Sequence, residues 1–368
     1  GPAGLKIPHR DELDAVQRDL AASPGVTVLI YDQTCAAEKR RRRKRGEFPD
    51  PDKRVLINEL VCEGCGDCGV QSNCVAVQPL DTEWGRKREI DQSACNKDFS
   101  CLKGFCPSFV TVHGAKPKRG TGAVAGAGEM PALPVPQLPA VDGTFGIIIT
   151  GIGGTGIVTM AQVLGTAAYL DGNAAGIIDQ AGLAQKGGGV FSHLRIARSP
   201  EDIHAIRIPA HGAALVLGGD MVTVGSKKVL SAMKPGQTTV VVNTHETQPG
   251  DFTHNADYSL PTERLKREIA KATDQDRAYF VEATKLASAL FGNSLGQNIF
   301  LVGYAWQLGR LPISEAALLK AIELNGEAVE MNKVAFAWGR RAAFDLVSIE
   351  KLAAPVAAPT DARRLSQT

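Results

Sequence analysis

The sequence predicts an α/β protein in two parts: a small cysteine-rich module, then a doubly wound, mostly parallel α/β domain. Three observations predict it. Seven of the eight cysteines fall between Cys62 and Cys106. A short apolar strand, Phe145-Gly-Ile-Ile-Ile-Thr150, runs directly into Gly151-Ile-Gly-Gly-Thr-Gly156 and a helical stretch from Ile157 to about Leu170. Further apolar strands then recur at βα spacing, which argues for a sheet with helices on its faces.

The chain divides by composition. Residues 1–52 carry an amphipathic stretch (Asp11 to Leu20), a short apolar strand (Val26-Thr-Val-Leu-Ile-Tyr31) and an unbroken cationic run from Lys39 to Arg45. One helix and one strand cannot bury a core, so this segment reads as the end of a larger α/β domain. Residues 53–113 hold the cysteines. Residues 114–142 are rich in Pro, Gly and Ala and read as a linker, 143–351 form the α/β domain, and 352–368 read again as linker or tail. The net charge of +2 and the 44% apolar fraction are those of an ordinary globular protein. Without interleaved aromatics the cationic run is better read as an arm for an acidic partner surface or a phosphorylated ligand than as a nucleic-acid patch.

The cysteines carry the most specific signal. Cys62-Glu-Gly-Cys65-Gly-Asp-Cys68 is followed by Cys74, then by Cys95, Cys101 and Cys106-Pro107. A C-x2-C-x2-C turn lets successive thiolates converge on one iron–sulfur cluster, and in two-cluster ferredoxins the fourth ligand comes from the other half of the motif. The spacing therefore predicts a ferredoxin-like double-cluster module. One cluster falls to Cys62, Cys65, Cys68 and Cys106, the other to Cys74, Cys95 and Cys101. Asp98 stands where the second half lacks a cysteine. The second cluster is thus either a [4Fe-4S] with Asp98 as ligand or a labile site decaying towards [3Fe-4S]. A zinc site would repeat one C-x2-C spacing in both halves, which this sequence does not. Thiolate clusters belong in a reducing cytosol. Nothing at the N-terminus reads as a signal peptide, and no apolar run approaches a membrane span. Cys35 stands apart and reads as an ordinary buried thiol, not a ligand.

In the α/β domain, strand, glycine turn and helix together make a nucleotide-binding arrangement, in which backbone N–H groups approach a phosphate at a helix N-terminus. Gly151, Gly153, Gly154 and Gly156 are the candidates. A nicotinamide dinucleotide, a CoA-type anion and a purely structural strand–helix turn remain open. Asp171 and Asp179 are the two acidic residues placed to meet a ribose. The stretch Gln180-Ala-Gly-Leu-Ala-Gln-Lys186-Gly187-Gly188-Gly189 sets consecutive glycines beside a lysine between two strands, either an anion site or a flexible connection. Strands are expected at Ala175–Asp179, Val190–Ile196, Ala214–Leu217 and Thr238–Asn243. Helices are expected between Met221 and Met233, from Pro261 to Ala272, and over much of 294–344. His193 and Arg195 share one face of their strand. No His-x-x-x-His, Gly-x-Ser-x-Gly, Walker A or paired-carboxylate apparatus is present, so no catalytic residue is assigned.

The ferredoxin motif, the linker, Ile149-Thr-Gly-Ile-Gly-Gly-Thr-Gly156 and Gly182-Leu-Ala-Gln-Lys-Gly-Gly-Gly-Val-Phe-Ser-His-Leu-Arg195 in that order resemble the 2-oxoacid:ferredoxin oxidoreductases, in particular the long, fused bacterial indolepyruvate type. The glycine turn and the Gln-Lys-Gly stretch resemble that family's gamma domain. The first fifty residues resemble the tail of its thiamine-diphosphate domain. The resemblance implies oxidative decarboxylation of an aryl-2-oxoacid such as indolepyruvate to the acyl-CoA. Thiamine diphosphate and Mg2+ would lie on domains outside this chain, electrons would pass through two iron–sulfur clusters to ferredoxin, and CoA would be a substrate. It also implies thiamine-diphosphate and pyrimidine-binding partners, a homo-oligomer of the whole enzyme and a cytoplasmic location. No thiamine-diphosphate motif is found, so the chain is expected to be a subunit or fragment that does not turn over alone. The alternative is an iron–sulfur electron-transfer subunit of a nicotinamide- or flavin-linked oxidoreductase.

Overall fold

The computed structural model describes residues 7–74, 76–92, 94–115, 132–181, 188–253 and 255–354. The chain divides into two compact units, residues 1–52 with 96–98, and residues 53–95 with 99–368.

In the first unit a 3-10 turn (Arg10–Glu12), opened by a capping box between His9 and Glu12, leads into α1 (Leu13–Ala22), which buries none of its residues. The stretch Val26–Tyr31, expected as a strand, is irregular and exposed, with Val26 97% and Ile30 84% accessible. A lone strand leaves its backbone unpaired, and no partner strand is found among the described residues of this unit. Cys35, expected to be buried, is exposed, because this unit has no core to cover it. The cationic run is helical: α2 spans Ala36–Lys44. Seven adjacent like charges would repel. Glu38 pairs with Arg41 and Arg45, and the cations of Lys39, Arg42 and Arg43 lie 5.4–5.8 Å from the Phe48 ring centre.

In the second unit the cysteine module is built on two antiparallel pairs. Strand β1 (Lys53–Ile57) pairs with β4 (Phe109–His113), and β2 (Val77–Thr82) pairs with β3 (Gly85–Ile90). Between them α3 spans Asp67–Ser72. The hydrocarbon core of this module is small, centred on Val55, Ala76 and Ile90.

The α/β domain contains a six-stranded sheet in the order β10-β9-β8-β5-β7-β6. The strands are β5 (Thr144–Ile152), β6 (Ala174–Ala181), β7 (Gly189–Ala197), β8 (Leu215–Gly218), β9 (Thr239–Asn243) and β10 (Ala278–Val281). Strands β5, β8, β9 and β10 run parallel, whereas β7 is antiparallel to both β5 and β6. The central strands are buried on both faces, as unbroken runs such as Ile147-Ile148-Ile149 and Val240-Val241-Val242 require. Each such side chain contributes about 1.5–3 kcal/mol.

One face is covered by α4 (Ile157–Leu170), α8 (Ala283–Phe291), α9 (Gln297–Gln307), α10 (Glu315–Asn325), α11 (Val329–Phe344) and α12 (Leu346–Ala353). The other is covered by the short α5 (Met221–Val224) and α6 (Lys227–Leu230) and by α7 (Thr262–Thr273). The doubly wound, largely parallel architecture is therefore as the sequence predicts. Ten of the eleven residues of α9 are buried. Its Gly303 faces α11, where an added Cβ would overlap the Phe336 carbonyl oxygen.

The end of the stretch expected as linker belongs to this domain. Leu138 and Val141 pack into its core, and Gln307 Nε2 donates to the Pro134 carbonyl at 2.8 Å. No helix among the described residues is long and apolar enough to cross a membrane.

Candidate functional site

Two places gather the residues singled out by sequence. The first is a cavity of about 250 Å³ in the cysteine module, lined by Cys62, Cys65, Cys68, Cys106 and Arg88. The loop Cys62–Cys68 reaches it through Gly66, whose φ is +82° and whose missing Cβ would stand 2.9 Å from Ala256 Cβ. Two of the sulfurs are hydrogen-bonded: Gly64 N–H donates to Cys62 Sγ at 3.4 Å, and Cys106 Sγ and Ser108 Oγ share a hydrogen bond at 2.9 Å. Cys62 and Cys68 are buried. Burial pushes the Cys68 thiol up to about 11, against the Gly69 N–H and the Arg88 cation, which pull it down; Cys62 and Cys65 add to the rise. Such a thiol gives up its proton when a metal takes the sulfur.

Cys74, Cys95 and Cys101 pack around the neighbouring core of Val55, Ala76 and Ile90, with Phe99 and Leu102. Asp98 is exposed and groups with residues 1–52. Among the described residues no three His, Cys, Asp or Glu side chains stand close enough to hold a single metal ion. A cubane differs from an ion in holding its thiolates apart by its own width. Four cysteines lining one cavity, with hydrogen-bond partners at the sulfurs of Cys62 and Cys106, fit such a group.

The second place is the carboxyl edge of the sheet. Gly153 N–H donates to the Gly188 carbonyl at 2.7 Å, so the glycine turn after β5 and the end of the 182–188 connection meet. Lys186 and Gly187 lie outside the described residues. Gly156, at φ +95°, starts α4. The N–H groups of Gly153 and Thr155 are used within the site, the latter by the Ile152 carbonyl at 3.3 Å. An added Cβ at Gly151 would stand 2.6 Å from Ile157 Cδ1. The turn therefore meets a structural need whatever it binds.

Around it stand residues that sequence reading missed. Asn298, 4% exposed, donates from Nδ2 to the Thr155 carbonyl at 2.6 Å, and its Oδ1 has no partner among the described residues. Asn243, closing β9, donates to Thr284 Oγ1 at 2.8 Å and to Gln297 Oε1 at 3.0 Å. Asp220, after β8, caps α5 through Thr223 N–H at 2.8 Å. Burial raises its carboxyl, opposed by the Thr223 bonds and by His245. The available signal was position: each sits just past an apolar strand or at a helix start, where α/β sheets bind ligands.

Other candidates are committed elsewhere. Asp171 accepts from Ser314 N–H at 2.5 Å and Ser314 Oγ at 2.6 Å, tying the end of α4 to the start of α10. Asp179 Oδ1 accepts from Ser192 Oγ at 2.5 Å. His193 is buried, and its Nδ1 accepts from Ile208 N–H at 3.3 Å. Burial, then the nearby cations of Lys228, Arg207 and Arg195, hold its imidazole down to about 4.

An indolepyruvate oxidoreductase subunit IorB of Thermococcus kodakarensis is 27% identical over 210 residues, covering 56% of this chain and 98% of that protein. The IorB subunit of Pyrococcus horikoshii is 27% identical over 207 residues, again 56% of this chain and 98% of the relative. The solved gamma subunit of a keto/oxoacid ferredoxin oxidoreductase from Geobacter sulfurreducens is 19% identical, covers 54% of this chain and 98% of its own, and aligns with a TM-score of 0.39. The model of the pyruvate ferredoxin/flavodoxin oxidoreductase family matches residues 146–342, and the chain belongs to that family.

Proposed function

We propose that this chain is the electron-transfer and gamma-domain portion of a 2-oxoacid:ferredoxin oxidoreductase of the indolepyruvate type. In this reading the whole enzyme oxidatively decarboxylates an aryl-2-oxoacid to the acyl-CoA in the cytoplasm. It works as a homo-oligomer whose thiamine diphosphate and Mg2+ sit on partner domains. Two iron–sulfur clusters would be held here, one by Cys62, Cys65, Cys68 and Cys106, the other by Cys74, Cys95, Cys101 and Asp98. Bound clusters supply one-electron acceptors that pass charge to ferredoxin. The chain's own part is to hold them in a partly buried pocket and to hydrogen-bond the sulfurs of Cys62 and Cys106 through Gly64 and Ser108.

The observation that carries the reading is the cavity lined by four cysteines in the same compact unit as the family domain. At the carboxyl edge, Gly151, Gly153, Gly154 and Gly156, with Lys186, Gly187 and Gly188, would receive the phosphates of CoA at the start of α4. A nicotinamide is less well served. Asp171 is bound through both oxygens to Ser314, and Asp179 is engaged with Ser192.

The test is iron and acid-labile sulfide on anaerobically purified protein, with EPR before and after dithionite. About eight iron per chain and two reduced signals are expected. Zinc, or no metal, would refute the electron-transfer role. With the partner domains added, indolepyruvate should reduce a viologen dye only when CoA is present.

A further inference from the structure

Arg88 is the most deeply buried arginine of the cysteine module, 2% exposed on β3. Its guanidinium donates from Nη1 to the Lys87 carbonyl at 2.9 Å and from Nη2 to the Ala256 carbonyl at 2.7 Å, and its Cζ lies 4.7 Å from the Phe252 ring centre. Among the described residues no carboxylate pairs with it. Carbonyls and a ring face satisfy its hydrogen bonds but leave a whole positive charge buried, which is costly unless an anion stands near.

What stands near is the cysteine cavity, whose wall Arg88 shares with Cys62, Cys65, Cys68 and Cys106. The loop is pressed against the guanidinium: a Cβ on Gly66 would lie 3.6 Å from Nη2.

We propose that Arg88 is the fixed countercharge of the group held by Cys62, Cys65, Cys68 and Cys106, and that it sets that group's reduction potential. The inference rests on the ligand reading above. Four thiolates on a cubane carry net negative charge, and taking up one electron adds another negative charge. A cation held in a poorly polarisable site stabilises the reduced form more than the oxidised one, so Arg88 raises the midpoint. Arg88 lines the cavity of this group, so its effect should fall on that midpoint and not on the other.

The experiment uses the anaerobically purified full chain. Iron and sulfide are counted first: wild-type protein without them sinks the ligand reading itself, before Arg88 is at issue. EPR-monitored redox titration then compares wild type with Arg88→Gln, the volume-matched Arg88→Met, and Arg88→Lys. With iron retained, Gln and Met should move one midpoint to more negative potential and leave the other in place. Lys should restore most of the shift. A merely structural arm would not sort variants by charge. Retained iron with unmoved midpoints, or Lys shifting as far as Gln, overturns the proposal. If Gln and Met both lose iron, Lys holding wild-type iron and midpoint supports it, and Lys losing iron as well overturns it.

Discussion

Gly153 donates its backbone N–H to the carbonyl of Gly188 at 2.7 Å, joining two glycine-rich segments that stand far apart as sequence motifs. The bond continues the pairing of Ile152 with Gly189 and fixes Gly188, just before β7, beside the glycine turn that leads into α4.

The backbone at the start of α4 tests how far that turn depends on glycine. Gly156 has φ +95°, and a Cβ there would stand 3.0 Å from Asn298 Nδ2, which holds the Thr155 carbonyl. Gly156→Ala is expected to lose about 1–2 kcal/mol, from the left-handed backbone conformation. Denaturant unfolding would measure it. An unchanged midpoint would mean that the turn relaxes into another conformation at no cost.

The contact between α9 and α11 should be still less tolerant. Gly303 and Gly339 let the two backbones touch, and an added Cβ would overlap the carbonyl oxygens of Phe336 and Phe300 respectively. Gly303→Ala is expected to cost about 1–3 kcal/mol by overpacking. Thermal unfolding should register the loss, whereas Gly326→Ala, with open space around its Cβ, should lose only what its own φ of +76° imposes.

The limits of sequence reading follow from how local each signal is. The cysteine spacing and the strand–glycine–helix unit are written in consecutive residues, and both were legible. The antiparallel placement of β7 was readable in principle, since residues 182–188 are too few for the crossover that a parallel neighbour needs. Strand β10 was missed because four residues carry no period. Val26–Tyr31 has strand composition but no partner strand among the described residues of its unit, and it stays irregular. Arg88 was invisible for another reason. A strand arginine reads as solvent-facing, and Phe252 and Ala256, more than a hundred and sixty residues downstream, help to bury it. Asn243 and Asn298 were single polar residues at the ends of apolar runs, without a motif around them.

His193 gives the domain a defined acid sensitivity. Its folded pKa, about 4, is depressed below the ordinary 6.5, first by burial and then by Lys228, Arg207 and Arg195. The unfolded chain therefore takes up a proton between these values that the native state refuses. Stability should be constant above about pH 6.5, fall as pH drops towards 4, and level off below for this residue, a loss on the order of 2–3 kcal/mol. His193→Gln should remove most of that slope. Chemical denaturation at pH 7 and pH 5 checks it, and an equal slope in both proteins would assign the sensitivity to other groups.

Ligand replacement in the cysteine module separates the two proposed sites. Cys106 Sγ lies 2.9 Å from Ser108 Oγ and lines the cavity with Cys62, Cys65 and Cys68, whereas Cys74, Cys95 and Cys101 pack around Val55, Ala76 and Ile90. Cys106→Ala should therefore remove roughly half the iron and one reduced EPR signal while leaving the other unchanged. Asp98→Cys acts in the opposite sense. A thiolate is a softer ligand for iron than a carboxylate, so the second cluster should survive air longer. The half-time of its EPR signal in aerated buffer reports this directly. If iron content, spectrum and air stability all stay as in the wild type, Asp98 is not a ligand, and the second cluster rests on Cys74, Cys95 and Cys101 without it.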